Sequence, residues 1–171
     1  WAKLNNLKQA AKTMNFLTEH GISSYGELES KLTAISARRD TAHTEIKRIE
    51  SRSAELTLVM KHAGTYRQLK PLYDRYRKSN DKEKFLRGHE SEIILFEAAA
   101  RELKRLGAVP LPTTESMKTE LANLSAEKER LLAEYKTART EAQEYETVKQ
   151  NVDALLAVPK EQEQQRRHEL E

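Results

Sequence analysis

Between Leu28 and Ala63 apolar residues return at alternating steps of four and three. The series is Leu28, Leu32, Ile35, Ala42, Ile46, Ile49, Leu56, Met60 and Ala63, with Arg39 and Ser53 as its two polar members. A heptad seam held over about five repeats puts one stripe of side chains on one side of a helix, and so long a stripe is stable only when another helix covers it. An arginine is tolerated there because its aliphatic stem follows the stripe while the guanidinium reaches water. A second stripe has the same period: Met117, Leu121, Leu124, Lys128, Leu131, Tyr135, Ala138, Ala142, Tyr145, Val148, Val152 and Leu155. At 1.5 Å per residue a helix of about 40 residues is about 60 Å long. The two seams match in length, so the economical fold is all-α: an elongated antiparallel helical hairpin of coiled-coil character pairing residues 24–63 with 113–157. Two chains sharing these seams would bury them too, which keeps a homodimer as the alternative.

The other segments read as helices attached to that hairpin. Leu4, Leu7, Ala11, Met14 and Leu17 predict a first helix over 3–20, stopped by Gly21. Ser24 and Glu27 have capping-box spacing ahead of the first seam. Gly64 is expected to break the long helix, leaving a short one over 66–78 on Tyr66, Leu69, Tyr73 and Tyr76; a continuous helix to Lys78, kinked at Pro71, is the other option. Asn80 to Glu83 offer a cap for a helix reaching Leu106, so 65–107 forms a small helical head. Gly107, Pro110 and Pro112 mark a connection, Thr113 or Thr114 caps the last long helix, and Pro159 ends it. The domain reading is one elongated unit over 1–158 with a polar tail over 159–171. Only 5 Gly and 4 Pro among 171 residues, with 33% charged, agree with helices rather than sheets. Cysteine is absent, which excludes disulfides and thiolate metal sites and suggests a cytoplasmic setting. No apolar run approaches the roughly 18 residues of a membrane span, and no signal-peptide pattern is present. The chain opens on Trp1 rather than Met and is expected to be a piece of a longer polypeptide, with Leu170-Glu171 a cloning remnant.

His89, Glu90 and Glu92 look at first like a metal site. A zinc-protease helix needs a second histidine four residues after the first, and position 93 is Ile. His89 instead falls on the apolar stripe of Leu86, Ile93, Phe96, Ala100 and Leu103, and is expected to be a packed or boundary histidine hydrogen-bonded to a neighbour. His20, His43, His62 and His168 show no ligand spacing. The pairs Glu27/Lys31, Asp74/Lys78, Glu83/Arg87 and Glu97/Arg101 are acid-before-base at four-residue spacing, worth a few tenths of a kcal/mol each as solvated helix support. Charge is uneven along the chain. Nine Lys/Arg face three acids between Lys61 and Arg87, a local excess of six positive charges within a chain of net charge +3. Cations interleaved with tyrosines suit a phosphate backbone and unstacked bases; the plainer reading is that the tyrosines pack the head and the cations are solvated.

Four stretches carry a family resemblance: WAKLNNLKQAAKTMNFLTEHGI at 1–22, YDRYRKS at 73–79, KFLRGHESEIILFEAAARELKRLG at 84–107 and VKQNVDAL at 148–155. They resemble the C-terminal region of relaxases, the MobP-type mobilization nucleases carried by conjugative transposons of Firmicutes. The resemblance implies a parent enzyme that nicks one DNA strand at a transfer origin, using a tyrosine nucleophile and a histidine-bound divalent metal in an N-terminal nuclease domain. No His-x-His or three-histidine cluster occurs here, so no catalytic residue, metal ligand or cofactor is carried over. The expectation is a non-catalytic accessory module that binds DNA, single-stranded or transfer-origin duplex. Arg75, Arg77, Lys78, Lys82, Lys84 and Arg87 would hold phosphates while Tyr73 and Tyr76 stack on bases. The alternative is a protein-interaction or dimerisation module that recruits relaxosome or coupling proteins without touching DNA.

Overall fold

The computed structural model describes the backbone of residues 2–168 and the side chains of residues 6–157. It consists of α1 (Ala2–Glu19), α2 (Tyr25–Lys78), α3 (Lys82–Arg105) and α4 (Thr114–His168), with no strand among the described residues. The all-α class is therefore as the two seams require. The chain divides into two compact units: Trp1–Thr44 with Leu131–Glu171, and Glu45–Arg130. Each combines a stretch of α2, a stretch of α4 and one shorter helix.

In the first unit Tyr25 donates to Asp153 at 2.7 Å, Lys149 pairs with Glu29 at 3.6 Å, and Arg38 pairs with Glu141. Numbers rise on α2 as they fall on α4, so the stretches run antiparallel. The second unit repeats the pattern, with Lys128 to Glu50 and Arg52 to Glu120 both at 2.7 Å, and Arg67 to Thr114 at 2.7 Å. Every seam position from Leu28 to Ala63 is buried or half-buried, as is every one from Met117 to Val152; Leu155, at the end of the stripe, is 46% exposed. Fully burying one Leu or Ile contributes about 1.5–3 kcal/mol, so the stripes supply most of the driving force. Arg39 sits half-buried in the seam and turns its guanidinium to Asp40 at 2.8 Å.

The shorter helices close in the same way. Gly21 and Gly107 have φ of +60° and +66°, the left-handed region that glycine enters without a side-chain clash. The next residues donate back six-to-one, Ile22 to the Leu17 carbonyl at 2.8 Å and Ala108 to that of Leu103 at 2.9 Å. Ile22 and Ala108 are both buried, so each cap also anchors its unit's core. At the start of α2 the Glu27 N–H donates to Ser24 Oγ at 3.2 Å, while the Glu27 carboxylate accepts from the Ser23 N–H at 2.7 Å. Those Ser23 donors hold the Glu27 carboxyl below its ordinary range. Asp81 caps α3 by accepting from the Lys84 N–H at 3.0 Å, and Thr113 caps α4 by accepting from the Ser116 N–H at 3.1 Å.

Four expectations are corrected. Gly64 does not break the long helix: α2 runs on through Gly64 and Pro71 to Lys78. A helical glycine costs only about 1 kcal/mol and a proline about 3. Leu56, Val59 and Ala63 before that point and Tyr66 after it, packed on a core with Leu103 and Met117, outweigh the cost. Pro159 does not end α4, whose backbone continues to His168; a proline removes one N–H but leaves the flanking Glu-, Gln- and Arg-rich turns their high helix propensity. The head over 65–107 is the end of α2 plus α3, and α3 itself is broken at His89, whose φ of −141° and ψ of 27° lie outside the helix. The apolar face assigned to α1 is rotated. Leu7 and Met14 are 68% and 59% exposed, whereas Thr13 is buried and Ala10, Phe16 and Leu17 are half-buried; Leu4 lies outside the described side chains.

Candidate nucleic-acid interface

The basic stretch occupies the last turn of α2, the link over 79–81 and the first turns of α3. Aromatic rings form the inner wall between these helices. Tyr66 stacks on Phe96 with ring centres 4.8 Å apart, and Tyr73 stacks on the same ring at 4.1 Å. Tyr76 leans on Tyr73 at 5.8 Å and on Phe85 at 6.1 Å, and Phe85 leans on His89 at 4.8 Å. Tyr73 also donates to Glu97 at 3.3 Å; burial and that carboxylate hold its phenol above the ordinary value. Both tyrosines assigned to base stacking are thus half-buried and packed against other rings.

Arg75, Arg77, Lys78, Lys82 and Lys84 are exposed, and their side chains hold no ion pair among the described residues. Arg87 is exposed but paired with Glu83 at 3.3 Å. Lys70 pairs with Asp74 at 3.0 Å, which leaves Lys78 to solvent. Arg67 turns inward, donating to Thr114 and to the Pro112 carbonyl, and so ties α2 to the connection before α4. Three cations in the last turn of α2 also complement the negative end of its dipole, a structural reason for their presence. Their placement follows from helix geometry at about 100° per residue. Tyr73 and Tyr76 mark the inner face of α2, so Arg75 and Lys78 lie on its outer side. Phe85, packed on Tyr76, marks the inner face of α3 ahead of the break at His89, so Arg87 lies on its outer side and Lys84 on its flank. The cations therefore surround the end of the helix pair and do not line one face.

His89, Glu90 and Glu92 lie in α3. His89 Nδ1 is buried and makes no hydrogen bond, with Glu92 Oε1 3.8 Å away, which corrects the hydrogen-bonded neighbour that was expected. Among the described residues no group of three or more His, Asp or Glu is placed to hold a metal ion. Of the four helix-supporting pairs, Glu83 with Arg87 is formed. Lys31 instead reaches the His20 carbonyl at 2.8 Å, and Glu97 is engaged by Tyr73.

Sequence reasoning missed the polar contact that seats α1 on α4. Asn151 donates to the buried Thr13 hydroxyl at 3.1 Å and accepts from Gln9 at 2.6 Å. Gln9 and Thr13 are four apart on one helix face, and that spacing was the available signal. No described helix is long and apolar enough to cross a membrane. Comparison of the chain with protein-family models, with curated proteins and with solved structures gives no match.

Proposed function

We propose that this chain is a non-catalytic helical module of a relaxase-like mobilization protein, acting in the cytoplasm and contacting the DNA backbone through the basic end of its second unit. The observation that carries the reading is the group of exposed cations at Arg75, Arg77, Lys78, Lys82 and Lys84, which hold no ion pair among the described residues. The resemblance of the stretches at 1–22, 73–79, 84–107 and 148–155 supplies the biological setting, and nicking is assigned to a nuclease domain of the parent protein. Because the tyrosine rings are packed, the contact is electrostatic and independent of sequence. Cations on opposite outer sides cannot all reach one duplex together, so about two or three phosphates are neutralised at a time. That number gives a slope of log affinity against log salt of about −1.5 to −2.5, against about −4 to −5 for six contacts.

The test is fluorescence anisotropy of the chain with duplex and single-stranded oligonucleotides across a salt series. Reversing Arg75 and Lys78 to Glu should abolish much of the binding and flatten the slope. No binding at low salt, or binding indifferent to these reversals, rejects the proposal. A second reading, a docking module for relaxosome or coupling proteins, is favoured by one observation: Ile94 and Leu95 stand 57% and 54% exposed on α3.

A further inference from the structure

α3 is two helices joined at a kink. His89 leaves the helical backbone there, and the helix that restarts beyond it carries Glu90 and Glu92 in its first turn, where carboxylates complement the positive end of the dipole. All four residues that α3 buries, Ile93, Phe96, Ala99 and Leu103, lie beyond the kink. Ahead of it Phe85 and Leu86 are half-buried, and Lys82, Glu83, Lys84, Arg87 and Gly88 are exposed. Seven residues are too few to hold a helix by themselves, so this segment depends on those two contacts. The kink is also poorly closed. His89 Nδ1 is buried and finds no hydrogen bond among the described residues, a cost that is relieved when an opening lets water reach it. A cavity of about 310 Å³ adjoins the segment, lined by Ser79, Asp81, Lys84, Phe85, Gly88 and His89. Gly88 is a weak helix former, yet a Cβ there would meet nothing within 4 Å, so packing gives no reason for it.

We propose that residues 82–88 form an arm that opens and closes as a unit about Gly88 and His89, separately from the rest of α3, and that a polyanion gripping Lys82, Lys84 and Arg87 holds it closed. The clamping rests on the DNA contact proposed for the basic end; the hinge does not. The link over 79–81 supplies the second pivot that a segment tied at both ends requires. Asp81 travels with the arm, because its carboxylate accepts from the Lys84 N–H at 3.0 Å and its carbonyl from the Phe85 N–H at 3.2 Å. Phe85 meets the rings of α2 at Tyr76, with centres 6.1 Å apart. Opening therefore breaks few contacts, whereas the part beyond the kink moves only if its four buried residues leave the core. A ligand that binds the closed arm and not the open one shifts the balance by its difference in affinity.

Native-state hydrogen exchange of the full chain, resolved by residue with NMR and run without nucleic acid, tests the hinge. The amides of residues 85–88 should exchange at one shared rate, at least about a hundredfold faster than those of 96–103. Gly88→Ala with His89→Leu should slow that shared rate at least about tenfold and leave 96–103 unchanged. Rates that rise smoothly toward Lys82, an arm as slow as 96–103, or an arm unmoved by the two substitutions overturns the hinge. The clamp is read by adding a duplex oligonucleotide whose binding is followed by anisotropy; bound duplex should slow the arm and not 96–103. A bound duplex that leaves the arm's exchange unchanged overturns the clamp alone, and a duplex that does not bind overturns the contact at the basic end with it.

Discussion

The two units seat a third helix on the same kind of antiparallel pair, but by different chemistry. α3 presents four buried apolar residues, Ile93, Phe96, Ala99 and Leu103, with Phe96 inside a column of rings. Among its described side chains α1 presents one that is fully buried, and it is polar: Thr13, held by Asn151. Around it Phe16 and Leu17 are half-buried, and Phe16 meets Tyr145 edge-on at 5.1 Å. Apolar burial scales with area and is indifferent to direction, whereas a buried hydroxyl is acceptable only in the one orientation that finds its partner. α3 is therefore seated chiefly by burial, and α1 by a registered hydrogen bond with less burial behind it.

The largest effect should come from Phe96→Ala, which opens a cavity beside Tyr66 and Tyr73 and should cost about 3–5 kcal/mol in urea unfolding followed by circular dichroism. The matched change Phe16→Ala, at a half-buried site, should cost roughly half as much, and equal losses would erase the contrast. Thr13→Val keeps the shape but removes the acceptor for Asn151, and should cost about 1 kcal/mol. Native-state hydrogen exchange should report that loss in α1 while leaving α3 unchanged; protection lost equally in both would mean that the hydroxyl does not act locally.

The smallest effect is pH-dependent. The Tyr25 hydroxyl, donating to Asp153, together with Lys149, holds that carboxyl below its ordinary range. A depressed carboxyl stabilises the fold above the unfolded value, about 4, and loses that contribution as pH falls through its lower folded value. Asp153→Asn should therefore lower the melting temperature at neutral pH, and the gap from the parent chain should close in acid. A gap that stays constant with pH would assign the effect to packing.

Much of this fold was legible beforehand. The seams from Leu28 and from Met117, the stops at Gly21 and Gly107, and the caps at Asp81 and Thr113 all depend on spacing within a turn or two. The errors share one cause. Gly64 and Pro159 were weighed by their local cost, and α1 was oriented by its most apolar residues. Leu7 and Met14 were available to make a stripe, but the partner face on α4 offers Asn151, so Thr13 turned inward. At the candidate interface the cations were found from charge alone, while the state of Tyr73 and Tyr76 was not, because their partners Phe96 and Glu97 lie more than twenty residues away.

The amino-acid sequence by itself determined that this chain is helical, where most of its helices begin and end, and which stripes of the long helices are covered, because period and capping are properties of neighbouring residues. Tertiary structure alone decided that α2 continues through its breakers, that α1 packs through a threonine, that the tyrosines close a ring column and that the cations surround the end of a helix pair. Those outcomes depend on which distant surfaces meet, and the free energy of that meeting exceeds the one to three kcal/mol by which local preferences differ.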